Sequence, residues 1–139
     1  MKPYMASLVS AADLKLFSNI KGVMEQMPEV DLGIDESGDE VPVSCHMVTR
    51  ALAKIFPGKV RSQDGDFVRR GQLHSWLVIG GGLVIDPYPI GTVGGPILVD
   101  CSFSLSPWTK LYIKRRLGIV NKDFQRHVRL VARAMRSVL

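Results

Sequence analysis

Cysteine is scarce in this chain, with only Cys45 and Cys101 in 139 residues. Two thiols are too few for a disulfide framework, and a domain of this length can bury enough surface without one. Long apolar runs are missing as well. No stretch approaches the roughly 18 unbroken apolar residues of a membrane-crossing helix. The N-terminal segment is interrupted by Ser7, Ser10 and Asp13 before a signal-peptide core develops. These absences predict a protein kept in the cytoplasm with free thiols and no membrane partner. A single Cys45–Cys101 bridge is the alternative for an exported chain. Metal-ligand spacing is also lacking: Cys45, His46, His74, Asp86 and Cys101 are all possible ligands, but no Cys-x2-Cys or His-x3-His pattern joins them. The glycines at 80–82 are followed by neither a helix nor Lys-Ser/Thr, as a phosphate loop would be. Neither metal nor cofactor is therefore expected.

Acidic residues are nearly absent from one part of the chain. Residues 107–139 carry nine of the 18 basic residues and a single acid, Asp123, whereas residues 1–106 hold nine bases and 12 acids. The formal net charge of +5 thus belongs to the C-terminal segment rather than to the whole domain. Within the acidic part, Glu29, Asp31, Asp35, Glu36, Asp39 and Glu40 follow one another with no base between them. They read as a solvated loop, or as a flap beside the residues discussed next.

With 46% hydrophobic and 22% charged residues and a mean hydropathy of +0.12, the chain can fill a real core as one domain over 1–139. A capping pattern at Ser10–Asp13 followed by Leu14, Phe17, Ile20, Met24 and Met27 predicts a helix over 10–27. Ser44 caps a second helix over 45–56, with Val48, Ala51, Leu52 and Ile55 as its buried stripe. A weak strand is expected at 59–61, then interior strands at 72–79 and 83–85 joined by the glycine turn. Residues 86–106 read as surface loop, with 96–103 as a possible edge strand. Residues 107–117 read as a short helix, and Asn121 caps a final amphipathic helix over 122–138. The order is helices, small sheet, helix, which is an α+β fold. Its core spans about 42–106, and the basic helical segment spans 107–139.

The chemistry concentrates at three positions. Cys45 opens the second helix, where free amides and the positive end of the helix dipole favour thiolate over thiol. The Cys45 amide can also serve as one donor to an oxyanion. If Ile79 pairs with Leu83 across the glycines, His74 lies opposite Tyr88 and Asp86 becomes its diagonal neighbour on one sheet face. A carboxylate there can set the imidazole's tautomer and orientation. A one-residue slip would separate the two. Taken singly, each residue has an ordinary structural explanation. Together, Ser-Cys-His, His-Ser-Trp-Leu-Val-Ile and Leu-Val-Ile-Asp-Pro, in this order, resemble the core of the transglutaminase-like branch of the papain-like cysteine enzymes, over about residues 42–89.

That resemblance implies a papain-like, transglutaminase-like core. It also implies a Cys45–His74–Asp86 triad acting through a thioester on a peptide or amide substrate, as peptidase, amidase, deamidase or acyltransferase. Trp76, two residues after His74, would share its strand face and wall the site, and His46 would lie beside the substrate. His46 stands where the family more often has a bulky aromatic or small residue. The Cys–His interval is short, and no upstream Gln or Tyr marks a second oxyanion donor. Two other functions compete with this one. One is a degenerate enzyme that keeps the fold for binding. The other is a nucleic-acid or protein-binding module using the last helix, where Arg126, Arg129, Arg133 and Arg136 form a ridge opposite Phe124, Val128, Val131, Met135 and Val138. Such a ridge would suit an acidic partner.

Overall fold

The computed structural model describes residues 9–27, 44–80, 82–87, 95–101, 106–116, 118 and 121–139. Among them the chain forms three helices and one five-stranded antiparallel sheet, an α+β arrangement. The acidic run from Glu29 to Glu40 and Tyr88 lie outside the described residues. No helix among the described residues is long and apolar enough to cross a membrane.

Local signals account for the helices. In α1 (Ala11–Gln26), the Ser10 hydroxyl accepts from the Asp13 amide, and Ile20 and Val23 are buried. Leu14, expected on that stripe, lies in the first turn and is 43% exposed. In α2 (Cys45–Ile55), Ser44 caps the first turn and Met47, Val48, Ala51 and Leu52 face inward. Helix α3 (Lys122–Arg136) is capped by Asn121 and buries Val128, Val131, Ala132 and Met135 against α2. The basic segment therefore contributes to the same core as the rest of the chain. Of its predicted ridge, Arg126 pairs with Asp123 at 2.5 Å, while Arg129, Arg133 and Arg136 point to solvent.

The sheet order is β4-β3-β2-β1-β5, formed by β1 (Arg61–Phe67), β2 (Leu73–Ile79), β3 (Leu83–Asp86), β4 (Ile97–Asp100) and β5 (Tyr112–Lys114). The hairpin takes the expected register, with Ile79 opposite Leu83 and Leu77 opposite Ile85. Strands β2 and β3 are interior and β4 is an edge. Alternation then separates two cores. Leu77, Ile79, Leu83, Ile85 and Leu98 face the three helices. Trp76, Val78, Val84 and Val99 face the other side, with Phe67, Trp108 and Tyr112.

Two expectations are corrected. The weak strand at 59–61 is instead seven residues of β1, beginning at Arg61 and lying between β2 and β5. Its sequence, Arg-Ser-Gln-Asp-Gly-Asp-Phe, has no apolar alternation. Its carboxylates are held by arginines from elsewhere: Arg50 on Asp64 and Arg115 on Asp66. Residues 107–117 do not form a helix. Turn bonds from Thr109 to Ser106 and from Leu111 to Trp108 lead into β5, which pairs Tyr112 with Phe67. Sheet pairing and burial of the Tyr112 ring override the weak helical spacing there.

Candidate active site

The site is built where α2 meets β2. Ser44 accepts the amides of Met47 and Val48, through its side chain and carbonyl for the first and its carbonyl for the second. The first-turn amides of Cys45 and His46 are the ones this cap leaves. The paired ladder of β2 with β3 ends at Leu77 and Ile85, below Ser75. The Ser75 backbone amide faces the Cys45 sulfur and favours its thiolate. Because Ser75 and His74 point to opposite faces of β2, a thiol at this point reaches side chains from both.

On one side lies His74. Its ring is fully buried, and Nε2 is 2.7 Å from Asp86 Oδ2 in an ion pair with no solvent exposure on either side chain. The same carboxylate oxygen accepts from the Tyr112 hydroxyl at 2.9 Å. Phe67 meets the His74 ring edge-on with centroids 5.6 Å apart, and Trp76 lies 6.1 Å from it. Trp76 shares the face as expected. At 1% exposure its indole supports His74 and packs edge-on against Tyr112, at 5.1 Å.

His74 Nδ1 is buried and has no hydrogen-bond partner among the described residues. The group left to interact with it is the Cys45 side chain. The ring is thus oriented in the opposite sense to the serine triad, in which the carboxylate holds Nδ1 and the nucleophile faces Nε2.

On the other side of the thiol lies His46, partly exposed, with Nδ1 2.6 Å from Ser75 Oγ. Ser75 Oγ in turn donates to Asp64 Oδ1 at 2.6 Å, and Arg50 grips Asp64 with two nitrogens, at 3.0 and 2.6 Å. Arg50 is itself seated with its guanidinium 5.4 Å from the Phe124 ring centre and donates to the His46 carbonyl. Arg50 and Ser75 hold the Asp64 carboxyl below the usual carboxylate range, against the opposing effect of its burial.

These surroundings separate the two cysteines electrostatically. Burial alone would raise the Cys45 pKa. The His46 and His74 side chains beside it and the Ser75 backbone amide outweigh burial and bring the thiol down to about 6. Burial likewise works against the charged form of His74, but Asp86 and then Cys45 outweigh it and raise the imidazole to about 9. Thiolate and imidazolium therefore coexist between those values. Cys101 is also partly buried; burial and the charge of Asp100 push it up to about 11, against the opposing charge of Lys114.

All five residues expected at a site lie around this point. The sequence reading missed Tyr112 on Asp86, because residues 107–117 were assigned to a helix. It also missed the Ser75–Asp64–Arg50 chain. Ser75 did carry a signal, as a hydroxyl between His74 and Trp76 on an otherwise apolar strand, but its partners are distant in sequence. Among the described residues no three His, Cys, Asp or Glu side chains are grouped to hold a metal ion. Comparisons with family models, with curated proteins and with solved structures give no match for the chain. A functional assignment rests on the chemistry of the site.

Proposed function

We propose that this protein is a cysteine-nucleophile acyl-transfer enzyme of the transglutaminase-like, papain-related kind, with Cys45, His74 and Asp86 as its triad. The observation that carries this reading is the buried His74–Asp86 pair, whose remaining ring nitrogen is left for a thiol at a helix N-terminus. A buried ion pair costs desolvation and is weak evidence of a purely stabilising role. Poising a nucleophile near neutral pH explains the arrangement better.

In this reading the Cys45 thiolate attacks the acyl carbon of an amide. The oxyanion forms beside the helix N-terminus, where the Cys45 and His46 amides stand. His74 gives its Nδ1 proton to the departing amine, and Asp86 stabilises the imidazolium before that transfer. Water or an amine then resolves the thioester. Water makes the reaction that of a peptidase, amidase or deamidase, and an amine makes it acyl transfer.

Alkylation with iodoacetamide, with the modified residue mapped by mass spectrometry, tests the nucleophile. Cys45 should react with a pH midpoint near 6 and Cys101 only in strongly alkaline solution, near 11. The position of the curve is the diagnostic quantity. A low-pKa thiolate is intrinsically less nucleophilic, so its rate advantage at pH 7 over an ordinary thiol is only a few-fold. A Cys45 midpoint at about 8.5, the value of an unperturbed thiol, would remove the basis of the triad.

A further inference from the structure

Two histidines, not one, flank Cys45, and they differ in access to water. His74 is sealed, with no exposure, and its Nε2 is committed to Asp86. His46 is partly exposed, at the mouth of the helix N-terminus. Its protonation pattern follows from Ser75. That hydroxyl has one proton and gives it to Asp64, so it must accept a hydrogen bond from His46 Nδ1–H. In the neutral ring Nε2 is then the basic nitrogen. Arg50 anchors the chain by holding both oxygens of Asp64. A carboxylate, a hydroxyl and an imidazole with a fixed tautomer form an orienting relay of the same logic as His74–Asp86, built on the opposite face of the strand.

We propose that His46 is a second catalytic base, which takes the proton of the incoming acyl acceptor while His74 serves the thiolate and the leaving group. This rests on the acyl-transfer reading above. In the second half-reaction the acceptor's oxygen or nitrogen bonds to the thioester carbon, and its proton goes to His46 Nε2. The C–S bond breaks with its electron pair left on Cys45. When His74 has already given its proton to a departing amine, the proton held by His46 passes through the Cys45 sulfur to His74 Nδ1, restoring the resting pair. Otherwise it leaves to solvent from the exposed ring. Ser75, Asp64 and Arg50 are positioning residues, since they act through His46.

p-Nitrophenyl acetate separates the two halves, because its phenolate departs without needing a proton. At pH 8 the wild-type protein should release a burst of p-nitrophenolate stoichiometric with Cys45, followed by steady turnover. His46→Ala should keep the burst within a few-fold while steady turnover falls on the order of 100-fold, the usual worth of a general base. Acetyl-Cys45 should then accumulate in intact-mass spectra, and added imidazole should restore turnover. Ser75→Ala, which leaves the backbone amide in place, should slow turnover in the same sense by a smaller factor. An unchanged turnover rate in His46→Ala would overturn the proposal. So would a burst and turnover that fall in equal proportion, or a failure of imidazole to rescue. Absence of any burst from the wild-type protein would instead remove the acyl-transfer reading, and this proposal with it.

Discussion

An Asp86→Ala variant should lose about 3–5 kcal/mol of stability, the usual cost of removing one partner from a buried ion pair, and with it the acid-side reactivity of Cys45. Asp86 accepts from both His74 Nε2 and the Tyr112 hydroxyl at a site with no solvent exposure. Without the carboxylate, Nε2 and the phenol are left in an apolar box of Phe67, Trp76 and Tyr112. The ring then favours its neutral form, and the thiolate loses its imidazolium partner. The alkylation midpoint of Cys45 should move upward from about 6.

The stability gap should also depend on pH in a definite direction. Folded His74 keeps its proton up to about 9, whereas an unfolded histidine releases it near 6.5. The pair's contribution is therefore complete below about pH 6.5 and fades as pH rises through 9. Urea unfolding of wild type and variant at pH 6 and pH 9 checks this, with the larger difference expected at pH 6. Asp86→Asn supplies the control. Its amide oxygen can still accept from Nε2, so it should recover more of the stability than of the low midpoint. If Asp86→Ala unfolds like wild type and leaves the alkylation curve unmoved, His74 and Asp86 are a structural pair only.

Gly65→Ala should be the most damaging small substitution in the sheet. Gly65 lies opposite His74 on β2 and opposite Lys114 on β5. A Cβ at this position would sit 2.1 Å from the Ile113 carbonyl oxygen and 2.5 Å from the Trp76 ring carbon Cη2. The carbonyl belongs to a paired strand and cannot swing aside. The indole is 1% exposed and wedged against Tyr112. The added methyl must separate β1 from β5 or push Trp76 away from His74. Overpacking of this kind costs about 3 kcal/mol or more, which for a domain of this size lowers Tm by about 10 °C. Gly22 in α1 has nothing within 4 Å of the corresponding Cβ. Gly22→Ala should be neutral or stabilising by about 0.5–1 kcal/mol, because alanine restricts the unfolded chain and favours helix. Thermal melts of the two variants make the comparison. Equal effects would mean that the β1–β5 contact is far looser than described.

How much of the site was legible depended on how local its causes are. Cys45 could be placed because Ser44, Pro57-Gly58 and a stripe of apolar residues define α2 within a dozen positions. His74 and Asp86 could be brought together because a glycine turn sets the hairpin register, and side-chain alternation then carries that register to the strand ends. The amphipathic pattern of α3 likewise showed which side packs inward.

β1 was not legible, because its residues are polar and it is stable as a strand only between two neighbours. Asp64 needs Arg50, 14 residues earlier, and Asp66 needs Arg115, 49 residues later. Tyr112 was missed for the same reason: its hydroxyl has meaning only beside Asp86, 26 residues away.

The sequence by itself determined the elements whose hydrogen bonds and periodicity close within one helix or one hairpin, and with them where Cys45, His74 and Asp86 stand. Only the tertiary structure decided which face of β2 each side chain serves. It alone tied the His46 ring to Ser75 and, through it, to Asp64, and set one cysteine's pKa near 6 and the other's near 11. The physical reason is that charge, burial and proton position depend on distances between residues far apart in the chain, and no local pattern of residue types encodes those distances.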